Sequence, residues 1–289
     1  MTSIPLYPHA CELTLDLRSC LHERLRTLPE RVSEFTFANL YLFRDHHHYR
    51  LSMLANNIAV IIGNDGNDSF FMLPFGLPDA QTLSQLFTDH LTMKCVTESQ
   101  KSVLERLGYT VVEDRDNFDY LYRRADLADL QGRKFSKKRN MVNAFINNNE
   151  YTGKPLLDEH IPEALNILEQ WKEEHGEEGD YHAAREALEK SWDLQLCGGI
   201  YYVENRPAAY SLGEEIANST CFVIHFEKAV QGYKGLYQFI NQAFAAILPG
   251  IYDTINREQD LGDEGLRHAK ESYQPSGFVK KYRARTTSA

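Results

Sequence analysis

The order of short strands and helices constrains this chain more than any other feature. In the C-terminal half, apolar periodicity and turn residues predict two helices and then strand, strand, strand, helix, strand, helix, strand. The N-terminal half predicts a similar order, β-β-β-α-β-α-β, without visible sequence repetition. Three consecutive strands followed by a crossover helix give a mixed sheet that helices must cover. We therefore predict an α/β (α+β) fold with two mixed sheets flanked by helices.

The length of the chain supports two domains. Its 289 residues exceed one typical core, because domains usually hold about 100–200 residues. The composition changes around a basic segment in the middle of the chain. We predict an N-terminal domain at 1–130, a basic connector helix at 131–154, a C-terminal domain at 155–285 and a tail at 286–289.

The charge distribution limits the classes of partner. A formal net charge of −10 repels the phosphate backbone at long range, which argues against a general nucleic-acid binder. One local exception is the segment from Arg133 to Arg139, which carries five positive charges in seven residues. An anionic ligand would need such a patch.

Two observations predict the compartment. The five cysteines are scattered and form no C-x-x-C pair, which favours free thiols in a reducing environment. The chain shows no secretory signal pattern and no stretch of roughly 18 apolar residues of the kind that spans a membrane. We expect a cytoplasmic protein without a transmembrane segment.

The strand predicted from Thr220 to Glu227 is the first candidate for chemistry. Its alternation places His225 and Glu227 on one face. His225 has an ordinary alternative as a hydrogen-bonded histidine of a half-buried strand. The following turn contains Gly232 and Gly235, whose backbone amides could hold an oxyanion or phosphate, or could simply begin a helix.

Polar residues also crowd the segment Asn256–Asp260, which follows a predicted strand. Open α/β sheets bind ligands beyond the carboxyl ends of their strands, so this loop is a candidate binding site. The alternative is a salt-bridged surface loop. Three consecutive histidines, His46 to His48, resemble metal ligands, but they lack further ligands at a zinc-like spacing, and we expect no metal site.

Two passages carry a family resemblance. The first is Phe118–Tyr122 with Leu127, Leu130, Gly132, Lys134 and Lys138-Arg139-Asn140, and the second is Ile255–Gly262 with Gly265-Leu266-Arg267, Lys270, Ser272-Tyr273 and Pro275. Both resemble the phosphatidylglycerol lysyltransferase C-terminal family and its stand-alone bacterial members. The resemblance implies a tandem acyltransferase fold of the GNAT type. GNAT enzymes that use acetyl-CoA carry a Q/R-x-x-G-x-G/A loop, from which this chain departs at Lys234 and Leu236.

The resemblance implies an aminoacyl or acyl transferase. Its donor would be an activated ester or thioester, aminoacyl-tRNA or acyl-CoA, and its acceptor an amine or hydroxyl of a small molecule or peptide. No tightly bound cofactor is expected. The alternative is a catalytically silent ligand- or nucleic-acid-binding protein that kept the fold.

Site residues follow from the two polar segments and the basic helix. We predict a catalytic base among Glu227, His225 and Glu258. The residues predicted to bind the donor are Arg139, Gly232, Gly235, Asn256, Arg257, Asp260, Lys270, Tyr273 and Lys280.

Overall fold

The structure, a computed structural model, describes residues 4–176 and 179–287. Within these residues the strands are β1 (Cys11–Glu12), β2 (Arg50–Met53), β3 (Ala59–Asp65), β4 (Asp68–Met72), β5 (Thr92–Val96), β6 (Thr110–Glu113), β7 (Asp119–Arg123), β8 (Tyr151–Pro155), β9 (Cys197–Val203), β10 (Arg206–Ile216), β11 (Cys221–Ala229), β12 (Thr254–Asn256), β13 (Gly277–Val279) and β14 (Tyr282–Arg285). The helices are α1 (Arg18–Arg26), α2 (Phe37–Leu42), α3 (Ala80–Asp89), α4 (Glu98–Arg106), α5 (Arg124–Asp129), α6 (Ser136–Asn148), α7 (Ile161–His175), α8 (Tyr181–Glu189), α9 (Ser191–Leu194), α10 (Leu236–Ile247) and α11 (Glu264–Glu271).

The strands form two mixed sheets, as predicted. Over the described residues each sheet has seven strands, in the orders β1-β2-β3-β4-β5-β14-β6 and β8-β9-β10-β11-β12-β7-β13. The two orders correspond strand by strand. In the first sheet β4 pairs with β5 in parallel, and in the second sheet β11 pairs with β12 in parallel. The matching orders explain why both halves of the sequence show the same succession of elements.

Each sheet is completed by a strand from the other half of the chain. β14, near the C-terminus, lies between β5 and β6, and β7 lies between β12 and β13. The chain therefore divides into one compact unit of residues up to Asp119, Gln259–Gly262 and the segment from Val279 onward, and a second of Tyr120–Glu258 and Asp263–Phe278. The predicted division into 1–130, 131–154 and 155–285 followed chain order and did not include this exchange. Of the predicted tail, 288 and 289 lie outside the described residues.

Capping residues in the sequence mark the positions at which several helices begin in the structure. Asp79 caps α3 by accepting from the backbone of Gln81 and Thr82 at 3.0 Å. Thr97 and Gln100 form a capping box at the start of α4. These caps satisfy backbone amides that would otherwise lack partners at a helix start.

Helices cover the sheets through apolar contacts. In the first unit, side chains of α3 and α4 join those of the central strands in one core cluster that includes Leu83, Leu86, Leu104, Val60, Phe71 and Met93. In the second unit, α10 covers one face of the sheet, where Phe244 packs edge-on against Phe222 with ring centroids 5.5 Å apart. α7 covers the other face, where Trp171 lies 3.7 Å from the Lys228 ammonium.

A buried ionic cluster connects distant segments of the first unit. Lys281 is 1 % exposed, and its ammonium contacts Glu34 and lies 2.6 Å from Asp119 Oδ1. Ser33 donates its backbone N–H and its hydroxyl to Asp119, each at 2.9 Å. Gln259 donates to Glu34 at 2.8 Å. Burial lowers the pKa of Lys281, but the charges of Asp119 and Glu34 outweigh burial and raise the pKa above its usual value, so the amine stays charged.

This cluster yields a stability prediction. Lys281→Met removes the ammonium that compensates the buried Asp119 and the partly buried Glu34, and breaking such a buried pair costs about 3–5 kcal/mol of unfolding free energy. Urea denaturation measures the change. The neighbouring Lys280→Met is the matched control, because Lys280 is half exposed and its bond to Glu113 is a surface pair, so its effect should stay within about 0.5 kcal/mol. Equal effects of the two substitutions would contradict the buried-charge interpretation.

Candidate functional site

The parallel pair β11/β12 opens into a fork in the second sheet. The pairing ends at Val223 and Asn256. Beyond it, β11 continues along β10 as far as Ala229, whereas the chain after β12 stays beside β7, since Arg257 N–H donates to the Tyr120 carbonyl at 3.0 Å and Tyr120 N–H to the Glu258 carbonyl at 3.2 Å. The backbone no longer connects the two strands there, and side chains cross the gap.

A β-bulge at the mouth of this fork changes which way the side chains point. Leu212 of β10 pairs with Phe226 and Gly213 with Ile224, so His225 is an extra residue on β11. The prediction that His225 and Glu227 share a face assumed unbroken alternation. Instead His225 bonds to Glu214 on the face covered by α7, and Glu227 pairs with Ser211 on the face covered by α10.

On the α10 face, an ion pair crosses the fork. Arg257 Nη2 lies 2.7 Å from Glu227 Oε2, with the two side chains 15 % and 10 % exposed. The Asn241 amide fits this guanidinium with its oxygen turned toward Arg257, 2.9–3.2 Å from the three guanidinium nitrogens. A partner on each side therefore fixes the guanidinium plane.

Three buried polar atoms on this face have no hydrogen-bond partner among the described residues. They are Glu227 Oε1, the Tyr201 hydroxyl and the Ser211 hydroxyl. Ser211 is directly opposite Glu227 in the β10/β11 ladder, and the Tyr201 ring packs edge-on against Phe239 of α10 with centroids 6.0 Å apart. Burial, followed by the Glu227 charge, raises the Tyr201 pKa. We call Glu227, Arg257, Asn241, Tyr201 and Ser211 the Glu227 cluster.

On the α7 face, a second ionic bridge crosses the fork. His225 Nδ1 lies 2.7 Å from Glu258 Oε1 and Nε2 lies 3.0 Å from Glu214 Oε1. The His225 side chain is 2 % exposed. Burial lowers its pKa, but the hydrogen bonds and charges of the two carboxylates outweigh burial and raise the pKa to about 10. Both ring nitrogens therefore donate, and the imidazolium has no lone pair with which to act as a base.

Aromatic rings and amines border the Glu227 cluster. The Arg257 guanidinium carbon lies 5.0 Å from the centroid of the Tyr273 ring, and the Lys138 ammonium lies 3.9 Å from the same centroid. Burial, then repulsion by Arg257, lowers the Lys138 pKa to about 8. Lys270 donates to the Arg257 carbonyl at 2.6 Å, and the Tyr122 hydroxyl donates to the Lys270 carbonyl at 2.7 Å. Two predicted residues, Lys270 and Tyr273, thus lie beside Arg257.

The predicted anion loop has local structural roles. A Cβ on Gly235 would lie 2.3 Å from the Met141 carbonyl oxygen, so close packing against α6 explains this glycine. Gly232 has a φ of +96°, a conformation that glycine adopts easily. Gln231 N–H, just before it, donates to both carboxylate oxygens of Glu174 at 3.1 Å. A carboxylate thus occupies part of the site suggested for phosphate.

The remaining predicted residues also have intramolecular partners. Arg139 donates to the carbonyls of Leu130 and Gly132 at the end of α5, and Asn256 accepts from Glu258 N–H at 2.7 Å. Two residues belong to the first unit: Asp260, which accepts from Arg115 at 3.0 Å, and Lys280, which lies 3.2 Å from Glu113.

Sequence reasoning missed several residues that the structure brings to the site, namely Glu214, Tyr201, Ser211, Asn241 and Lys138. Lys138 had a visible signal, since it precedes the predicted Arg139 in the basic helix. On a helix, adjacent residues point about 100° apart, so only the packing of α6 decides which cation faces Tyr273. Of the three histidines at 46–48, His47 lies 3.3 Å from Asp65. Across 4–176 and 179–287, no group of three or more metal-ligating side chains is present.

Similar solved structures define the fold class of this chain. A conserved protein of unknown function from Bacteroides thetaiotaomicron is 31% identical, with a TM-score of 0.87 over 96% of this chain and 99% of that one. A tandem GNAT protein from the clavulanic acid biosynthesis pathway is 8% identical, with a TM-score of 0.51 over 97% and 98%. The fold is thus a tandem GNAT-like acyltransferase fold, as predicted.

The family follows from the sequence profile. Residues 25–285 match the family described as phosphatidylglycerol lysyltransferase, C-terminal, so this chain belongs to it. The C-terminal domain of a putative lysylphosphatidylglycerol synthetase from Agrobacterium fabrum has the same fold, with 13% identity and a TM-score of 0.61 over 92% of each chain. The family resemblance noted in the sequence is confirmed.

One curated relative matches a shorter part of the chain. An uncharacterised protein of Mycoplasmoides gallisepticum is 26% identical over 177 residues, which are 57% of this chain. The chain spans about half the length of that relative, 54%. Among the helices in the described part of the chain, none is both long and apolar enough to cross a membrane.

The proximity of Lys138 to Arg257 gives a testable titration. Lysine acylation across pH, followed by peptide mass spectrometry, should show Lys138 becoming reactive around pH 8, because only the neutral amine reacts. Arg257→Gln removes a neighbouring positive charge, so the Lys138 midpoint should move upward. The exposed Lys137 on the same helix is the internal reference. A Lys138 midpoint that does not change in Arg257→Gln would contradict the electrostatic contact.

Proposed function

We propose that this chain is an aminoacyltransferase that uses aminoacyl-tRNA as its donor and an amine or hydroxyl as its acceptor. The observation that carries the proposal is Glu227, a buried carboxylate with one oxygen fixed by Arg257 and the other without a partner among the described residues. Burying such an oxygen is unfavourable unless it accepts a hydrogen bond. The N–H or O–H group of the acyl acceptor supplies that hydrogen bond.

The reaction requires no covalent enzyme intermediate. The acceptor nitrogen or oxygen attacks the ester carbonyl of the donor, a bond to the acyl carbon forms, and the ester C–O bond breaks. Glu227 Oε1 takes the proton that the acceptor loses, and the terminal ribose hydroxyl of the tRNA leaves with a proton. Arg257 and Asn241 hold the base in place, and positioning of both substrates supplies much of the rate.

The choice of aminoacyl-tRNA over acyl-CoA rests on the loop before α10. The loop departs from the acetyl-CoA pattern at Lys234, where that pattern has glycine, and at Leu236, where it has glycine or alanine, and Glu174 binds the Gln231 amide there. A carboxylate at this position repels a pyrophosphate. The basic helix α6, with Lys137, Lys138 and Arg139 and with Lys134 just before its start, supplies local positive charge for a polyanionic donor in an acidic protein.

A transfer assay tests the proposal. Total tRNA charged with a mixture of radiolabelled amino acids is incubated with the protein and hydroxylamine as a small amine acceptor, and loss of acid-precipitable label is followed. Glu227→Gln keeps the shape but removes the base, so the rate should fall about 100-fold or more. Glu204→Gln, in an exposed turn of the same unit, is the control and should match wild type.

A parallel assay with acetyl-CoA, read as release of free thiol, tests the alternative donor. Turnover of acetyl-CoA without turnover of aminoacyl-tRNA would replace the proposed donor. Retention of labelled aminoacyl-tRNA on a filter without any transfer would instead support the catalytically silent binding protein. Wild-type activity in Glu227→Gln would remove Glu227 from the mechanism.

A further inference from the structure

The position of His225 has features that an ordinary histidine of a protein core does not have. His225 is the extra residue of the β11 bulge, it is almost fully buried, and each ring nitrogen donates to a different carboxylate. Glu214 reaches it from β10, within the continuous part of the sheet. Glu258 reaches it from the loop after β12, on the other side of the fork. The imidazolium therefore joins two segments that backbone pairing leaves apart.

Glu258 is held in an unusual backbone conformation. Its φ is +56°, a left-handed conformation that costs a non-glycine residue roughly 1–2 kcal/mol. Its N–H donates to Asn256 Oδ1 at 2.7 Å, and its carbonyl accepts from Tyr120 N–H at 3.2 Å. The bond to His225 adds a third anchor, through the side chain. Because it is charge-assisted, this bond belongs to the stronger class of hydrogen bonds.

Arg257 directly precedes Glu258, and its side chain goes to the opposite face of the sheet. Its N–H and carbonyl are fixed by Tyr120 and Lys270, and its guanidinium meets Glu227 and Asn241. A change in the backbone at Glu258 must therefore turn the peptide that carries Arg257. The two faces of the fork are coupled by two adjacent residues of one loop.

We propose that His225 is a positioning residue that acts through Glu258 to hold Arg257 against Glu227. Its effect on the rate of transfer rests on the proposed function, whereas its effect on Arg257 does not. The role also differs from that of a base: His225 donates from both nitrogens throughout and never accepts the acceptor's proton. The Glu227 cluster would thus depend on a residue that does not contact it.

The structural test follows the Arg257 side chain by ¹⁵N nuclear magnetic resonance. In His225→Gln, hydrogen exchange of the Arg257 Nε–H should accelerate about tenfold or more, because the loop loses an anchor and opens locally. The matched control is Val223→Ala, a buried truncation on the same strand and face, in which exchange should change less than about twofold. Equal exchange in wild type and His225→Gln, or equal acceleration in both variants, overturns the proposal.

A second pair of variants protects the test if His225→Gln does not fold. Glu258→Ala removes the anchor at a side chain that is 17 % exposed, and it should reproduce the acceleration. Glu258→Gln can still accept from His225 Nδ1 and should restore most of the wild-type protection. Failure of this rescue would mean that Glu258 acts only by filling space, and the proposal would fall.

The kinetic test separates this inference from the proposed function. In the aminoacyl-tRNA assay, His225→Gln should lower kcat about tenfold or more with little change in KM. The reason is that Arg257 would hold Glu227 less firmly in position for the reaction, whereas substrate binding would be unchanged. The pH profile should keep its shape, whereas loss of a base would remove its acidic limb. If Arg257 exchange accelerates in His225→Gln but the wild-type protein transfers nothing, the proposed function is refuted and the positioning role stands. If exchange is unchanged in His225→Gln but the wild-type protein is active, the positioning role is refuted and the proposed function stands.

Discussion

The second unit depends on the point where β11 and β12 stop pairing. Up to Val223 and Asn256 the sheet is continuous, and beyond them the backbone of each strand follows a different neighbour. A split sheet exposes main-chain groups that must find other partners. Here the gap is crossed on one face by Arg257 and Glu227 and on the other by Glu258 and His225. Ionic side chains thus replace backbone pairing at the fork.

The corresponding place in the first unit is closed differently. There β4 and β5 form the parallel pair, and Gln100 donates its side-chain amide to the Leu73 carbonyl at 2.8 Å while accepting from Thr97 N–H at 3.0 Å. Apolar residues of α3 and α4 fill the adjoining core. A neutral amide suffices to satisfy backbone groups. The charged bridges of the second unit exceed that requirement, which is why we place the chemistry there.

The sequence predicted the strands and helices more completely than it predicted which strands pair with each other. Alternation, turn residues and caps located nearly every strand and helix, because these signals act over a few neighbouring residues. The exchange of β7 and β14 depends on which edge each strand meets and left no local signal. The apolar pattern of residues 277–283 predicts one final strand, yet β13 and β14 belong to different sheets. β8 was read as part of a connector, since it lies at the sheet edge, is exposed along its length and ends at Pro155.

The site shows the same division between local and nonlocal information. Glu227, Arg257, Glu258 and His225 were identifiable because polar residues in strands and strand ends are uncommon without a purpose. Their pairing was not, because the bulge that sends Glu227 to the α10 face, away from His225, arises from the register with β10. A one-residue change in register moves a side chain to the other face. That change separates a base candidate, Glu227, from an imidazolium already saturated by two carboxylates.

Burying so many charged side chains around one fork is unfavourable, and a contribution to stability alone does not explain their presence. Replacing buried ion pairs by apolar side chains of similar volume is often neutral or stabilising, so a purely structural fork could have been apolar, as the core beside β4 and β5 is. The Arg257 and Glu227 pair uses only one carboxylate oxygen of Glu227. If the arrangement were optimised for stability, Tyr201 or Ser211, whose hydroxyls are buried on the same face, would donate to the other oxygen. Instead three polar atoms have no partner in the part of the chain that the structure describes, which is the pattern expected of a surface that a polar ligand completes.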